Sequence, residues 1–140
     1  MKKFTKKSKA FDEWNEIKKA VDNHSNKKVG FKTRDIFYMN MGENIGFEQN
    51  GKGDKFLRPV VILKVFNREM FFAIPLSTQL KEGIFYYNFE FKKRDGTTSK
   101  NIALLSQMKL FSSKRLLNKI GVMNKNDFEK MKESFKCLLD

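Results

Sequence analysis

The chain is poor in the residues that most often build catalytic and metal centres: its 140 residues include one cysteine, one histidine and two prolines. A single cysteine, Cys137, excludes an internal disulfide and a cysteine-based metal cluster, and its amphipathic surroundings read as those of a small core residue. A single histidine, His24, excludes a two-histidine acid/base pair and a histidine cluster for zinc; in its polar linker it reads as solvated. No apolar run approaches the length that spans a bilayer. The N-terminal Met1-Lys2-Lys3-Phe4-Thr5-Lys6-Lys7 has the charge of a secretion signal without the apolar stretch that should follow. A soluble, cytoplasmic protein without membrane association is expected.

Arginine is scarce too, although positive charge is not. Lysine and arginine together number 29 against 16 acids, a net charge of +13, and only five of those cations are arginine. Such an excess fits a polyanionic or acidic partner, and it equally fits a lysine-rich genome. The 40% hydrophobic content, with fifteen Phe, argues against disorder at a length of about one domain.

The two prolines mark strand borders, because proline lacks an N–H and fixes φ. Arg58-Pro59 opens the apolar run Val60–Leu63, and Pro75-Leu76-Ser77-Thr78 closes Met70–Ile74. A permanent cation and a hydroxyl thus stand at the ends of two adjacent strands, a place able to hold a phosphate. Strands are expected over 35–41, 59–65, 69–74, 84–91 and 100–105. Phe85, Tyr87, Phe89 and Phe91 alternate with polar neighbours, Asn67-Arg68 is hairpin-length, and Asp95-Gly96 is a turn signal. Five short strands with tight turns predict a mainly β fold, an antiparallel sheet or small barrel.

Helical spacing appears at both ends. Residues 1–9 carry five lysines and read as a mobile basic arm. Phe11, Trp14, Ile17 or Lys18, and Val21 then form one stripe of a helix, expected to pack on the main domain because a lone stripe is not stable in isolation. Residues 1–30 are thus an arm and a helix, and 31–140 the main domain. Near the C-terminus Ser112 is expected to cap a short helix through Leu116, Leu117 and Ile120, ended by Gly121. A second helix starts at Asn124-Lys125-Asn126-Asp127, with Met123 and Phe128 as a hydrophobic staple.

Gly42–Leu57 holds four of the eight glycines in sixteen residues without helical or strand periodicity. Loops of this length are functional or mobile. Asn44, Phe47, Glu48, Gln49, Lys52 and Lys55 supply groups that can stack on and hydrogen-bond an unpaired base. Glu90-Phe91-Lys92 has the Glu-x-Lys spacing of some metal-dependent nucleases, a triplet that a lysine-rich chain also forms by chance.

These segments, in order from about Arg34 to Leu139, resemble the PemK/MazF-type toxins of type II toxin–antitoxin systems. Arg34-Asp35-Ile36-Phe37-Tyr38 resembles the family's opening strand, with Arg replacing Gly, and Gly46-Phe47-Glu48-Gln49-Asn50-Gly51 its first loop. Arg58-Pro59-Val60-Val61 resembles its most specific motif, and Leu104-Leu105-Ser106-Gln107-Met108 and Lys114-Arg115-Leu116 resemble later segments. The resemblance implies a small twisted antiparallel barrel, related to CcdB and Src-homology-3 barrels, with C-terminal helices; the helix at 11–21 is an addition. It further implies a homodimeric, cofactor-free and metal-free endoribonuclease acting on single-stranded RNA, mRNA included, and neutralised by a cognate antitoxin.

By the same resemblance Arg58 is the catalytic arginine and Ser77 the catalytic hydroxyl, or Thr78 if the register shifts by one. RNA contacts fall to Asn44, Phe47, Glu48, Gln49, Lys55, Gln79, Gln107 and Lys109, the last standing where an Arg is common. Two other readings are a noncatalytic basic barrel that binds RNA or protein, and a gyrase-poisoning toxin of the same fold. The second resembles this chain less, because that activity rests on a C-terminal Trp absent here.

Overall fold

The computed structural model describes residues 9–23 and 29–140. His24 and all but Lys9 of the basic arm lie outside them. The described elements run α1 (Phe11–Asp22), β1 (Asp35–Asn40), β2 (Leu57–Val65), β3 (Met70–Ser77), β4 (Tyr86–Lys92), β5 (Thr98–Leu104), β6 (Lys109–Ser112), β7 (Leu116–Val122) and α2 (Lys125–Cys137).

Side chains alternate across a strand, and in the β1–β2–β3 meander both faces meet apolar partners. Ile36, Val61, Ile74 and Leu76 enter one core, which α2 covers with Phe128 and Met131. Phe37, Met39, Val60, Ile62, Phe71 and Ala73 enter a second core with Phe111 and Leu116. Burial on both faces explains why these strands read as continuous apolar runs. At the Asn67-Arg68 hairpin, Asn67 Oδ1 accepts from the N–H groups of Glu69 (2.7 Å) and Met70 (2.9 Å). Gly96 takes φ +89° in the β4–β5 turn, which favours glycine.

The sheet is entirely antiparallel, in the order β4-β5-β3-β2-β1-β7, with β6 also paired to β3. It is the twisted, barrel-like sheet expected, but it does not close. Its two ends meet at one hydrogen bond, from Arg94 N to the Ile120 carbonyl (3.2 Å).

Four expectations need correction. Ser112 does cap a turn, its Oγ accepting from Lys114 N (3.2 Å), but that turn is a single 3₁₀ turn, Ser113–Arg115. The segment expected to continue it as a helix is strand β7, paired with β1, so one C-terminal helix stands where two were expected. Leu116, Leu117 and Ile120 fit a helix face in isolation; the free backbone edge of β1 makes the ladder the better solution. Lys109–Ser112 is likewise a strand. The prolines lie within strands rather than at their borders: Pro59 pairs with Tyr38 and Pro75 with Val60, each two residues inside a strand end. Cys137 is exposed, not a core residue.

Asn124 Oδ1 accepts from Asp127 N (2.8 Å) and caps α2. Asp127 Oδ1 in turn accepts from the Tyr87 hydroxyl (2.8 Å), fastening the helix to β4. Buried Asp35 joins β1 to β7 through Lys119 Nζ (3.0 Å) and accepts from Lys32 N (2.8 Å). Trp14 is the buried residue of α1; Phe11 is exposed, and Ile17 and Val21 are half-buried. Burying an indole removes on the order of 200 Å² from water, at most about 5 kcal/mol, so α1 depends on this one side chain. No helix among the described residues is long and apolar enough to cross a membrane.

Candidate active site

The loop from β1 to β2 is ordered by its own polar groups. At its root the Phe56 carbonyl accepts from Met41 N (2.8 Å) and Gly42 N (3.2 Å), while Gly51 N donates to the Gly42 carbonyl (2.8 Å). Gly42 takes φ +88°, and a side chain there would run into Trp14. Near the tip, Asn44 Nδ2 donates to the Gln49 carbonyl (2.7 Å) and Asn50 Oδ1 accepts from Asn44 N (2.6 Å). Gln107 reaches across from beyond β5: its Nε2 donates to the Phe47 carbonyl (2.9 Å), and its Oε1 accepts from Gln49 N (3.1 Å). Asn44 and Gln107 therefore spend their side chains on the loop backbone.

Arg58 lies beneath that loop. Its residue is 6% exposed, and its Nη1 donates to the Leu76 carbonyl of β3 (3.0 Å) and its Nε to the Asn50 carbonyl (2.6 Å). With the Gln49 amide turned so that oxygen meets donor, that oxygen accepts from Nη2 (2.7 Å) and Nε (3.1 Å). A guanidinium carries five N–H bonds, so these tethers leave one on each terminal nitrogen. Burial lowers the Arg58 pKa from its ordinary value, and the group remains cationic at working pH.

A main-chain bond relates Ser77 to this cation. The β2–β3 ladder ends at Val60 and Pro75, beyond which Ser77 pairs with Ile102 of β5; Arg58 reaches the end of β3 through its bond to the Leu76 carbonyl, one residue before Ser77. Arg58 and Ser77 both fall in the alternation of the second core, with Val60 and Ile62 on one strand and Phe71 and Ala73 on the other. Ser77 is half-buried and its Oγ accepts from Gln79 N (3.2 Å). Thr78 and Gln79 lie past the strand end and are exposed.

A cleft of about 220 Å³ is lined among others by Asn44, Glu48, Gln49, Pro75, Gln107 and Lys109; Arg58, Ser77 and Thr78 are not in its lining, and Gln49, which holds Arg58, links the cleft to that cation. The structure thus brings together five of the eight residues expected to contact RNA. Among the described residues, Glu48 is the only carboxylate lining this cleft. Of the other three, Phe47 is fully exposed near the loop tip, Lys55 is exposed on the returning arm of the loop, and Gln79 belongs to the β3–β4 connection. A larger hollow of about 650 Å³ carries Glu13, Glu43 and Asp54, an arrangement that repels a polyanion.

Arg115 has a place that sequence reasoning missed. It is half-buried, its Nη1 donates to the carbonyls of Asn40 (3.0 Å) and Met41 (3.2 Å), and its guanidinium lies 5.7 Å from the ring centres of Trp14 and of Phe111. Burial lowers its pKa as well. The scarcity of arginine that singled out Arg58 was the available signal here too.

A family model described as "PemK-like, MazF-like toxin of type II toxin-antitoxin system" matches residues 32–139. Among solved structures, MazF from Deinococcus radiodurans superposes with a TM-score of 0.59 at 14% identity, covering 79% of this chain and 97% of that one. The Mycobacterium tuberculosis toxin MazF-mt6 gives 0.52 at 16% identity, covering 65% and 93%. At such identities the likeness is one of fold. No curated protein sequence matches the chain.

Proposed function

The chain belongs to the PemK-like, MazF-like toxin family of type II toxin–antitoxin systems, and from that membership we propose that it is a ribosome-independent, metal-free endoribonuclease cutting single-stranded RNA at short sequences. The supporting observation is Arg58, a buried cation fixed by two main-chain carbonyls and the Gln49 amide oxygen, with two N–H bonds to spare. Gln49, which holds Arg58, lines a cleft together with Glu48 and Lys109, in a chain of net charge +13.

RNA brings its own nucleophile. The 2′-oxygen attacks phosphorus, the bond to the 5′-oxygen breaks, and the products end in a 2′,3′-cyclic phosphate and a 5′-hydroxyl. The protein has to align the reacting atoms and stabilise the charge that collects on the phosphorane oxygens. Of the two free N–H groups of Arg58, one serves a phosphorane oxygen and the other the departing 5′-oxygen, which takes its proton from solvent water; Ser77 donates its hydroxyl to the same phosphate. Glu48 is the candidate acceptor of the 2′-proton. Lys109 and Lys55 neutralise flanking phosphates, and Phe47 offers an open ring face to a base.

Membership of a type II system implies an antitoxin partner. On this reading the antitoxin occupies the RNA groove, the working form is a homodimer in the cytoplasm, and the chain divides near residue 30 into an added N-terminal unit and the toxin domain. The test is cleavage of a mixed-sequence RNA oligonucleotide with and without EDTA, with end-group analysis. Cleavage that persists in EDTA and leaves cyclic phosphate ends supports the reading. Cleavage lost in EDTA overturns it and returns attention to Glu90 and Lys92.

A further inference from the structure

We propose that α1 is a brace that sets the shape of the β1–β2 loop, with Trp14 and Lys9 as positioning residues for RNA recognition; the recognition half rests on the endoribonuclease reading. The family match begins at residue 32, so α1 lies outside it. The helix nevertheless touches the loop at its root, and Lys9, two residues before the helix, touches it at its tip.

At the root, the Trp14 indole fills the space over Gly42 that a side chain would occupy, and its ring centre lies 5.6 Å from that of Phe56. Gly42 and Phe56 are the two stems of the loop, joined through the Phe56 carbonyl (3.2 Å). Arg115 closes the other side, over the indole at 5.7 Å and bonded to the Met41 carbonyl (3.2 Å). At the tip, Lys9 Nζ donates to the carbonyl of Asn44 and to that of Gly46 (3.1 Å). A further bond, from Lys114 Nζ to the Asp22 carbonyl (2.8 Å), holds the far end of the helix.

These contacts link two things that would otherwise vary separately. Seating Trp14 requires the stems to close as they do, and closing the stems carries Gln49 and Asn50 down onto Arg58. The loop shape presented to RNA is therefore the shape that α1 accepts. Loss of the brace should let the loop sample other shapes, loosening the Gln49 and Asn50 holds on Arg58 and weakening and broadening RNA recognition.

Amide hydrogen exchange tests the brace without any assay of activity. In Trp14→Ala the amides of Gly42, Gly51 and Lys52 should exchange at least about tenfold faster while those of β4 and β5 keep their protection, and Trp14→Phe should restore the loop. Lys9→Ala, which leaves the root intact, should speed exchange only near the tip, at Asn44 and Glu48; it serves if Trp14→Ala does not fold. With RNA, Trp14→Ala should raise KM about tenfold, lower kcat as well because Gln49 and Asn50 hold Arg58, and cut at additional sequences. Unchanged loop protection in both variants overturns the brace. A wild-type protein that cleaves no RNA overturns the function reading instead, while the exchange result still decides the brace.

Discussion

Arg58 Nη1 donates to the main-chain carbonyl of Leu76 at 3.0 Å, one residue before Ser77. The bond ties the first turn-side cation of β2 to the end of β3 and fixes where the guanidinium stands relative to the hydroxyl that follows. Positioning of this kind is what a reaction with a substrate-borne nucleophile asks of its catalyst.

Replacing Arg58 with Ala should lower kcat/KM for RNA by about 10² to 10³, roughly 3 to 4 kcal/mol, as loss of one charge-stabilising donor does. Because the side chain is buried, thermal melting must accompany the rate measurement. Near-wild-type cleavage by a folded Arg58→Ala protein would sink the assignment.

Ser77 and Thr78 should behave differently. Side-chain alternation along each strand puts Ser77 on the face of Ala73 and Arg58 on that of Val60, both in the second core, whereas Thr78 is exposed past the strand. Ser77→Ala should slow single-turnover cleavage by roughly 10- to 100-fold, the worth of a hydrogen bond to a charged group, and Thr78→Ala by less than about threefold. A larger effect at Thr78 than at Ser77 would reverse the roles.

Asp35→Asn should destabilise the fold on the order of 3 kcal/mol in denaturant unfolding. The carboxylate is buried and pairs with Lys119 Nζ at 3.0 Å, so its loss strands a partly buried ammonium between β1 and β7. An unchanged unfolding midpoint would show that water replaces the pair without cost.

The Tyr87 hydroxyl is pushed up to about 12 by burial and by its hydrogen bond and proximity to Asp127. A raised phenol pKa means that the unfolded chain loses its proton first. The resulting stability is whole below about pH 10 and disappears as pH climbs toward the folded value. Melting temperatures of wild type and Tyr87→Phe should therefore converge between pH 10 and about 12. Parallel profiles across that range would remove Tyr87 from the alkaline transition.

The meander and both hairpins were legible because their signals are local: alternation in residues 85–91, Asn67-Arg68, Asp95-Gly96. The strand at 116–122 was not, because its short apolar pattern fits either period and only the unpaired edge of β1 decides. Cys137 illustrates a readable fact that was missed. It stands nine positions from Phe128, about half a turn away around the helix, and so faces water while Phe128, Met131, Phe135 and Leu138 face the core. At the site, Arg58 was visible through its rarity. The grip of Gln107 on Gln49, 58 residues earlier, was not, since nothing local to either residue specifies the other.

Two of the groups that hold Arg58, the carbonyls of Leu76 and Asn50, belong to the main chain. Every residue type carries that same acceptor. The exposed loop side chains Ile45 and Phe47, which neither order the loop backbone nor hold Arg58, can therefore be exchanged without removing either of those two anchors. That part of the surface is mutable apart from the hold on the cation.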